Sequence, residues 1–185
     1  LELAEKNEVY RILAELSASA GRAGEEIKNN QRILVELDFI FSKGKLSARM
    51  KAEPPQIDAK GGLSIRQGRH PLIDSKTVVP ISVSIGKDFN TLVITGPNTG
   101  GKTVTLKTMG LFVLMAQSGL HLPAASGTVV PVFQKVFADI GDEQSIEQSL
   151  STFSSHMRNI VGIVREADCN TLVLLDELGA GTDPT

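Results

Sequence analysis

Apolar and polar residues divide this chain into a helical first third and an alternating remainder. In residues 1–52, Leu3, Tyr10, Leu13 and Leu16 recur at helical spacing with Glu and Lys between them. Gly21-Arg22-Ala23-Gly24 interrupts the pattern. A second helix is expected from about Glu25 to Lys51, carrying Ile27, Ile33, Leu34, Leu37, Ile40, Phe41 and Leu46. The segment reads as an antiparallel helical hairpin or an arm. Glu53-Pro54-Pro55 ends it, because neither proline can continue a helix. The boundary is placed there, giving a helical segment 1–52 and a second domain 53–185.

Beyond that boundary the period shortens. Leu63-Ser64-Ile65-Arg66 and the run from Val78 to Ile85 alternate as strands do, with Pro80 making the second an edge or bulged strand. Thr91-Leu92-Val93-Ile94-Thr95 is a short strand-like run. A helix without proline is expected over Thr103 to Ser118, apolar nearly all round and therefore buried on most of its surface, with Gly119 as its stop. Val132 to Ile140 has strand spacing, and Gly141 to Gln148 reads as a polar surface loop with a short helical turn. Ser151 then caps a helix with a stripe of Phe153, Met157, Ile160, Val161 and Val164. Thr171 to Leu175 is a continuous apolar run, expected as a central parallel strand buried on both faces. Together these predict an α/β fold with a largely parallel sheet.

The candidate chemistry sits between the strand-like run and the long helix. Gly96-Pro97-Asn98-Thr99-Gly100-Gly101-Lys102-Thr103 matches the phosphate-loop pattern G-x-x-x-x-G-K-[ST]. Its glycines let backbone N–H groups converge on phosphate oxygens, and the helix N-terminus adds partial positive charge. Lys102 would neutralise the β- and γ-phosphates, Thr103 would ligate Mg2+, and Val104 completes the set expected to hold the nucleotide. Asp176, at the carboxyl end of an apolar strand, would hold Mg2+ through its water shell, with Glu177 beside it to orient and deprotonate the attacking water. Lys102 and Glu177 are thus the expected catalytic pair. Ser151 explains itself as a cap, and its helix start, with Thr152 next along, is also an anion site in prospect. His70 reads as a turn or capping residue, and His121 as loop.

Composition narrows the field. The chain has 185 residues and a formal net charge of -2, so it carries no overall electrostatic footprint for nucleic acid. Its one cysteine excludes an internal disulfide and suits a reducing compartment. Cys169 is expected as a small apolar filler at a helix–strand junction. No apolar run reaches the length of a membrane span, so no membrane partner is expected. Both ends look cut, which reads as a fragment of something longer.

The phosphate loop, Ser151-Thr152-Phe153 and the stretch Leu174-Leu175-Asp176-Glu177-Leu178-Gly179-Ala180-Gly181-Thr182-Asp183 together resemble the ATPase domain of the MutS family, within the wider ABC-type class of P-loop NTPases. Gly68-Arg69-His70-Pro71 resembles a segment these proteins carry shortly before the loop. The Thr-Gly-Gly-Lys-Thr form, Gly141-Asp142-Glu143-Gln144-Ser145 and Ser154-Ser155-His156 favour the MutS-two paralogue. The resemblance covers about 56–185 closely, and 1–52 looks like the end of the helical core and lever region.

The resemblance implies a homodimer of ATPase faces in which Ser151 reaches nucleotide bound by the other subunit and Gly179 to Asp183 lie along the interface. It implies ATP and Mg2+ as cofactors and places Val78 near the adenine. It also implies a cytoplasmic parent acting on branched DNA, to suppress recombination, or on ribosomes, through parts outside this chain, often with a nuclease domain. Family members continue past Gly-Thr-Asp into a strand with a switch histidine, whereas this chain ends before it, an expected C-terminal truncation. The rivals are a nucleotide-gated dimerisation module without turnover, a generic ABC-like ATPase, and a P-loop phosphotransferase.

Overall fold

The computed structural model describes residues 2–97, 100–140 and 149–176, with side chains in all of these except 149–155. The chain forms two compact units, Leu1–Lys45 and Leu46–Thr185.

The first unit is helical. Helix α1 spans Glu2–Arg22, and α2 spans Gly24–Met50, running on into the second unit. Among the described residues neither helix buries a side chain. Leu13, Leu16, Leu34 and Phe41 are exposed. The expected antiparallel hairpin does not form. At Ala23 the backbone keeps helical bonding, with Ile27 N–H donating to the Ala23 carbonyl at 2.9 Å. A reversal would need those bonds broken, and no face-to-face packing of the two helices compensates for them. Local ion pairs line α1, including Arg11 between Glu8 and Glu15 at 2.6 and 2.7 Å.

The second unit has mixed sheets. Strands β1 (Gln56–Ile57), β2 (Leu63–Gly68), β3 (Ile81–Ile85) and β4 (Val129–Val130) form a four-stranded sheet in the order β1-β4-β2-β3. β1 pairs parallel to β4, while β2 is antiparallel to both β3 and β4. Strands β5 (Lys135–Asp139) and β6 (Thr171–Leu175) form a separate parallel pair. The expectation of a largely parallel sheet is therefore corrected. The expected strand at 91–95 is also absent: Val93 is 78% exposed, and no described strand pairs with the segment. An apolar run becomes a strand only where a neighbour takes its backbone hydrogen bonds. β3 begins at Ile81, directly after Pro80, and lies at the sheet edge where a missing N–H is tolerated.

Helix α3, Lys102–Gln117, is the centre of the core. Met109, Phe112, Val113, Met115 and Ala116 pack with Leu63, Ile65, Leu122, Val130, Leu172 and Leu174. Leu114 is 52% exposed, so one side of the helix stays open. Its end follows expectation. Gly119 has a φ of 71°, and Leu120 N–H returns to the Met115 carbonyl at 2.9 Å. Gly110 lets α3 approach β6, because a Cβ there would lie 2.7 Å from Leu174 Cδ1.

Helix α4, Ser149–Glu166, packs against β5. Its inward face is turned from the expected one, with Ile163 buried and Val161 and Val164 exposed at 49% and 71%. His156, Ile160 and Ile163 instead share the inward line, because His156 is bound to the buried Asp139. On β6 only Leu172 and Leu174 are buried, while Thr171, Val173 and Leu175 are half-buried, so the strand is not covered equally on both faces. Cys169 is exposed in the turn before β6 and fills no core space. The acidic stretch 141–148 lies outside the described residues.

The last turns of α2 belong to this second unit. The Arg69 guanidinium donates to the carbonyls of Met50 at 3.2 Å and Lys51 at 3.0 Å. Ser47 Oγ lies 2.8 Å from His121 Nδ1, and Glu53 bridges to Leu122. These bonds explain why the compact unit begins at Leu46, upstream of the proline pair.

Candidate functional site

The site forms where α3 begins and β6 ends. Gly96 has a φ of 148° and Gly101 a φ of 80°, both in the region that favours glycine, so the loop turns where a side chain would be strained. Gly101 is the N-cap of α3, and no side chain caps that end. Gly100 N–H donates to the Pro97 carbonyl at 2.9 Å, and Thr105 N–H to the Gly101 carbonyl at 2.9 Å. Lys102 Nζ donates to the Gly96 carbonyl at 2.6 Å. Its ammonium therefore reaches back across the loop to the first residue.

The helix register then sets Thr103 facing β6. Its hydroxyl donates to Asp176 Oδ2 at 2.5 Å. Asp176 is the first residue past β6, and its N–H donates to the Asp139 carbonyl at 3.0 Å. The structure thus brings Asp176 to the loop of Gly96, Lys102 and Thr103, from which it is distant along the chain. Gly100, Gly101 and Val104 belong to the same loop and first turn.

The donor set suits a hard cation. A hydroxyl that donates its hydrogen to a carboxylate keeps lone pairs for a metal, and the carboxylate keeps a second oxygen. Among the described residues no group of three or more His, Cys, Asp or Glu converges. Magnesium does not require one, since it commonly takes one or two protein oxygens alongside phosphate and water.

Other expected residues fall elsewhere. Val78 is half-buried in a turn, its N–H donating to the Asp74 carbonyl at 2.9 Å, and no described hydrogen bond joins it to the loop. Asn98, Thr99 and Glu177 lie outside the described residues, as does the side chain of Ser151, whose backbone lies inside the first turn of α4 and not at the expected cap, because the helix already begins at Ser149. His70 accepts the Leu72 N–H on Nδ1 at 3.3 Å, a turn-capping role. Burial, with the Lys107 ammonium second, holds its imidazole below the usual histidine range.

One participant escaped sequence reasoning. Asp139 ends β5 directly beside the end of β6, in register with Leu175, and is 8% exposed. His156 Nδ1 lies 2.9 Å from its Oδ2, and Asn159 Nδ2 lies 3.5 Å from its Oδ1. The available signal was an acidic residue closing a strand-spaced run, the same signal that marked Asp176.

Comparison with known proteins adds to this geometry. A profile of MutS domain V matches residues 92–185. The chain is 62% identical over 185 residues to a protein named endonuclease MutS2 from Alkaliphilus oremlandii. It is 60% identical to proteins of the same name from Clostridioides difficile, over 184 residues, and Acetivibrio thermocellus, over 185 residues. Each comparison takes in all of this chain and 23% of the relative, so the chain spans about a quarter of their length.

Proposed function

This chain belongs to the MutS domain V family, and from that premise we propose that it is the nucleotide-handling part of a MutS2-type protein that binds and hydrolyses Mg-ATP as a dimer. The observation that carries the proposal is the convergence of Thr103 and Asp176 at 2.5 Å beside a glycine loop spanned by Lys102. Within an ABC-type P-loop ATPase, residues 53–185 form the ATPase portion and 1–52 the end of a helical lever.

The loop residues Gly96, Asn98, Thr99, Gly100 and Gly101, with Val104, wrap the phosphates through backbone N–H groups, and Pro97, which has no N–H, shapes the turn between them. Lys102 places a positive charge against the β- and γ-phosphate oxygens and so stabilises charge that moves there during cleavage. Thr103 and Asp176 hold the magnesium position. Bound there, the cation would neutralise phosphate charge and polarise the γ-phosphoryl group. Glu177 takes the proton of the attacking water. Ser151 serves the nucleotide of the opposite subunit, and Val78 contacts the adenine.

For the complete protein the proposal extends to a cytoplasmic machine that couples turnover to branched DNA, limiting recombination, or to ribosomes. The relatives carry the name endonuclease, so a nuclease activity elsewhere in the complete gene product is included. The test is ATP binding and phosphate release by the complete gene product. Lys102→Ala should abolish binding or turnover, and Glu177→Gln should bind ATP but leave it uncleaved. Normal hydrolysis by the Lys102→Ala protein would overturn the reading, and binding without turnover in the wild type would replace it by a nucleotide-gated dimerisation module.

A further inference from the structure

Asp139 places a carboxyl group in an unusual position. Its carboxylate is almost fully buried at the end of β5. A carboxylate taken out of water is strongly destabilised unless hydrogen bonds compensate it. His156 supplies the close one, at 2.9 Å. With Asp139 ionised, Nδ1 must carry the hydrogen, since a carboxylate can only accept. Asn159 supplies a longer contact at 3.5 Å to the other oxygen.

The backbone of the same residue holds the site. Asp139 pairs with Leu175 in the parallel ladder, and its carbonyl accepts the Asp176 N–H at 3.0 Å. The Asp176 carboxylate in turn accepts from Thr103. Strand pleating puts Asp139 on the face of the β5–β6 pair opposite Leu174, which meets α3 at Gly110. The end of β6 is therefore gripped from two sides, by α3 through Thr103 and by α4 through His156 and Asp139.

We propose that the Asp139–His156 pair is a positioning latch, in which His156 on α4 fixes Asp139 so that its carbonyl holds Asp176 in the geometry needed to present the magnesium position. This rests on the Mg-ATP reading above and deepens it by adding two positioning residues. Neither side chain touches nucleotide in this scheme. Without His156, the Asp139 carboxylate keeps, among the described residues, only the long Asn159 contact and must move toward water. Its carbonyl moves with it, and Asp176 loses its backbone restraint.

The test uses the complete gene product with His156→Ala, His156→Asn and Asp139→Asn. Two readouts are needed. The first is hydrogen exchange of the 171–176 amides without nucleotide or metal. The second is the Mg2+ concentration for half-maximal ATP turnover, with KM for ATP measured at saturating Mg2+. His156→Ala should accelerate exchange at Asp176 and raise the Mg2+ midpoint roughly tenfold, the usual effect of losing a partner behind a metal ligand, with KM changed less than about twofold. His156→Asn should restore both, because its amide nitrogen can occupy the position of Nδ1. Asp139→Asn keeps the experiment decisive if His156→Ala fails to fold.

A Mg2+ midpoint within about twofold of wild type in folded His156→Ala, or in folded Asp139→Asn if His156→Ala does not fold, would overturn the latch while leaving the nucleotide site standing. Absence of Mg-ATP turnover in the wild type would instead overturn the function. The exchange measurement then decides by itself whether the pair restrains Asp176, and unchanged protection in His156→Ala would remove the latch as well.

Discussion

Thr103 donates its hydroxyl hydrogen to Asp176 at 2.5 Å, tying the first turn of α3 to the residue that follows β6. This bond joins the start of α3 to the end of β6. Removing the carboxylate should cost more than removing the hydroxyl, because only the carboxylate carries charge to oppose a divalent cation. Asp176→Ala is expected to lower Mg-dependent ATP turnover at least roughly 100-fold, and Thr103→Val roughly tenfold. Steady-state phosphate release against Mg2+ concentration measures both. Wild-type turnover in Asp176→Ala would remove Asp176 from the site.

Gly110 sets how closely α3 lies on β6. A Cβ there would stand 2.7 Å from Leu174 Cδ1, closer than carbon atoms approach, though Cδ1 is the tip of a flexible side chain. Gly110→Ala should therefore be tolerated after a rotamer shift of Leu174. Gly110→Val cannot be absorbed in that way and should destabilise the chain by about 1–3 kcal/mol, the usual cost of overpacking. Combining it with Leu174→Ala should recover part of the loss, since the two atoms occupy the same space. Urea midpoints of wild type, Gly110→Val, Leu174→Ala and the double variant check this, and strict additivity would show that the contact does not govern helix placement.

The loop and its following helix were legible because their residues carry local information. Glycines at Gly96 and Gly101 suit positive φ, and Gly119 suits the end of α3. The helices α2 and α4 were also readable from their periods, and β6 from its continuous apolar run. What was hidden depended on neighbours. Thr91–Thr95 has strand composition but no described strand beside it, and Gly21–Gly24 looks like a turn while helical bonding continues at Ala23. The inward face of α4 was misjudged because period arguments treat His156 as polar and outward, whereas a buried acid draws it in. Cys169 was misplaced for the converse reason, a small apolar residue left exposed in a turn. Such outcomes follow from tertiary partners that no local window contains.

His70 gives a pH dependence with a defined sign. Its imidazole is held below the usual histidine range by burial and then by Lys107, and Nδ1 accepts from Leu72 N–H. A lowered pKa in the folded state means that the unfolded chain binds the proton more readily. Stability from this residue is thus full above about pH 6.5 and falls as pH drops through the unfolded value toward the folded one. His70→Asn, whose amide oxygen can accept the same N–H, should flatten the decline in melting temperature between about pH 7 and 5. An unchanged slope would mean that His70 protonates as easily in the folded chain as in the unfolded one.

Arg69 closes the end of α2, and its contribution can be isolated. Its guanidinium donates to the carbonyls of Met50 and Lys51, while its own N–H donates to the Pro123 carbonyl at 2.8 Å. Lys51 has a φ of 48°, a turn of the chain that leaves the last helical carbonyls without helical partners. A cation at a helix C-terminus also meets the negative end of the helix dipole. Arg69→Ala removes the side-chain bonds but keeps the backbone one. It should lower stability by about 1–3 kcal/mol, as expected for charge-assisted bonds to carbonyls. Arg69→Lys should recover only part, because a single ammonium cannot reproduce the planar fork. His121→Ala tests the neighbouring Ser47 contact as an independent tie. Denaturant midpoints, together with hydrogen exchange of residues 46–52, separate local fraying of α2 from global loss. If Arg69→Ala leaves both unchanged, the grip on α2 resides in the Glu53–Leu122 bridge and the Ser47–His121 contact instead.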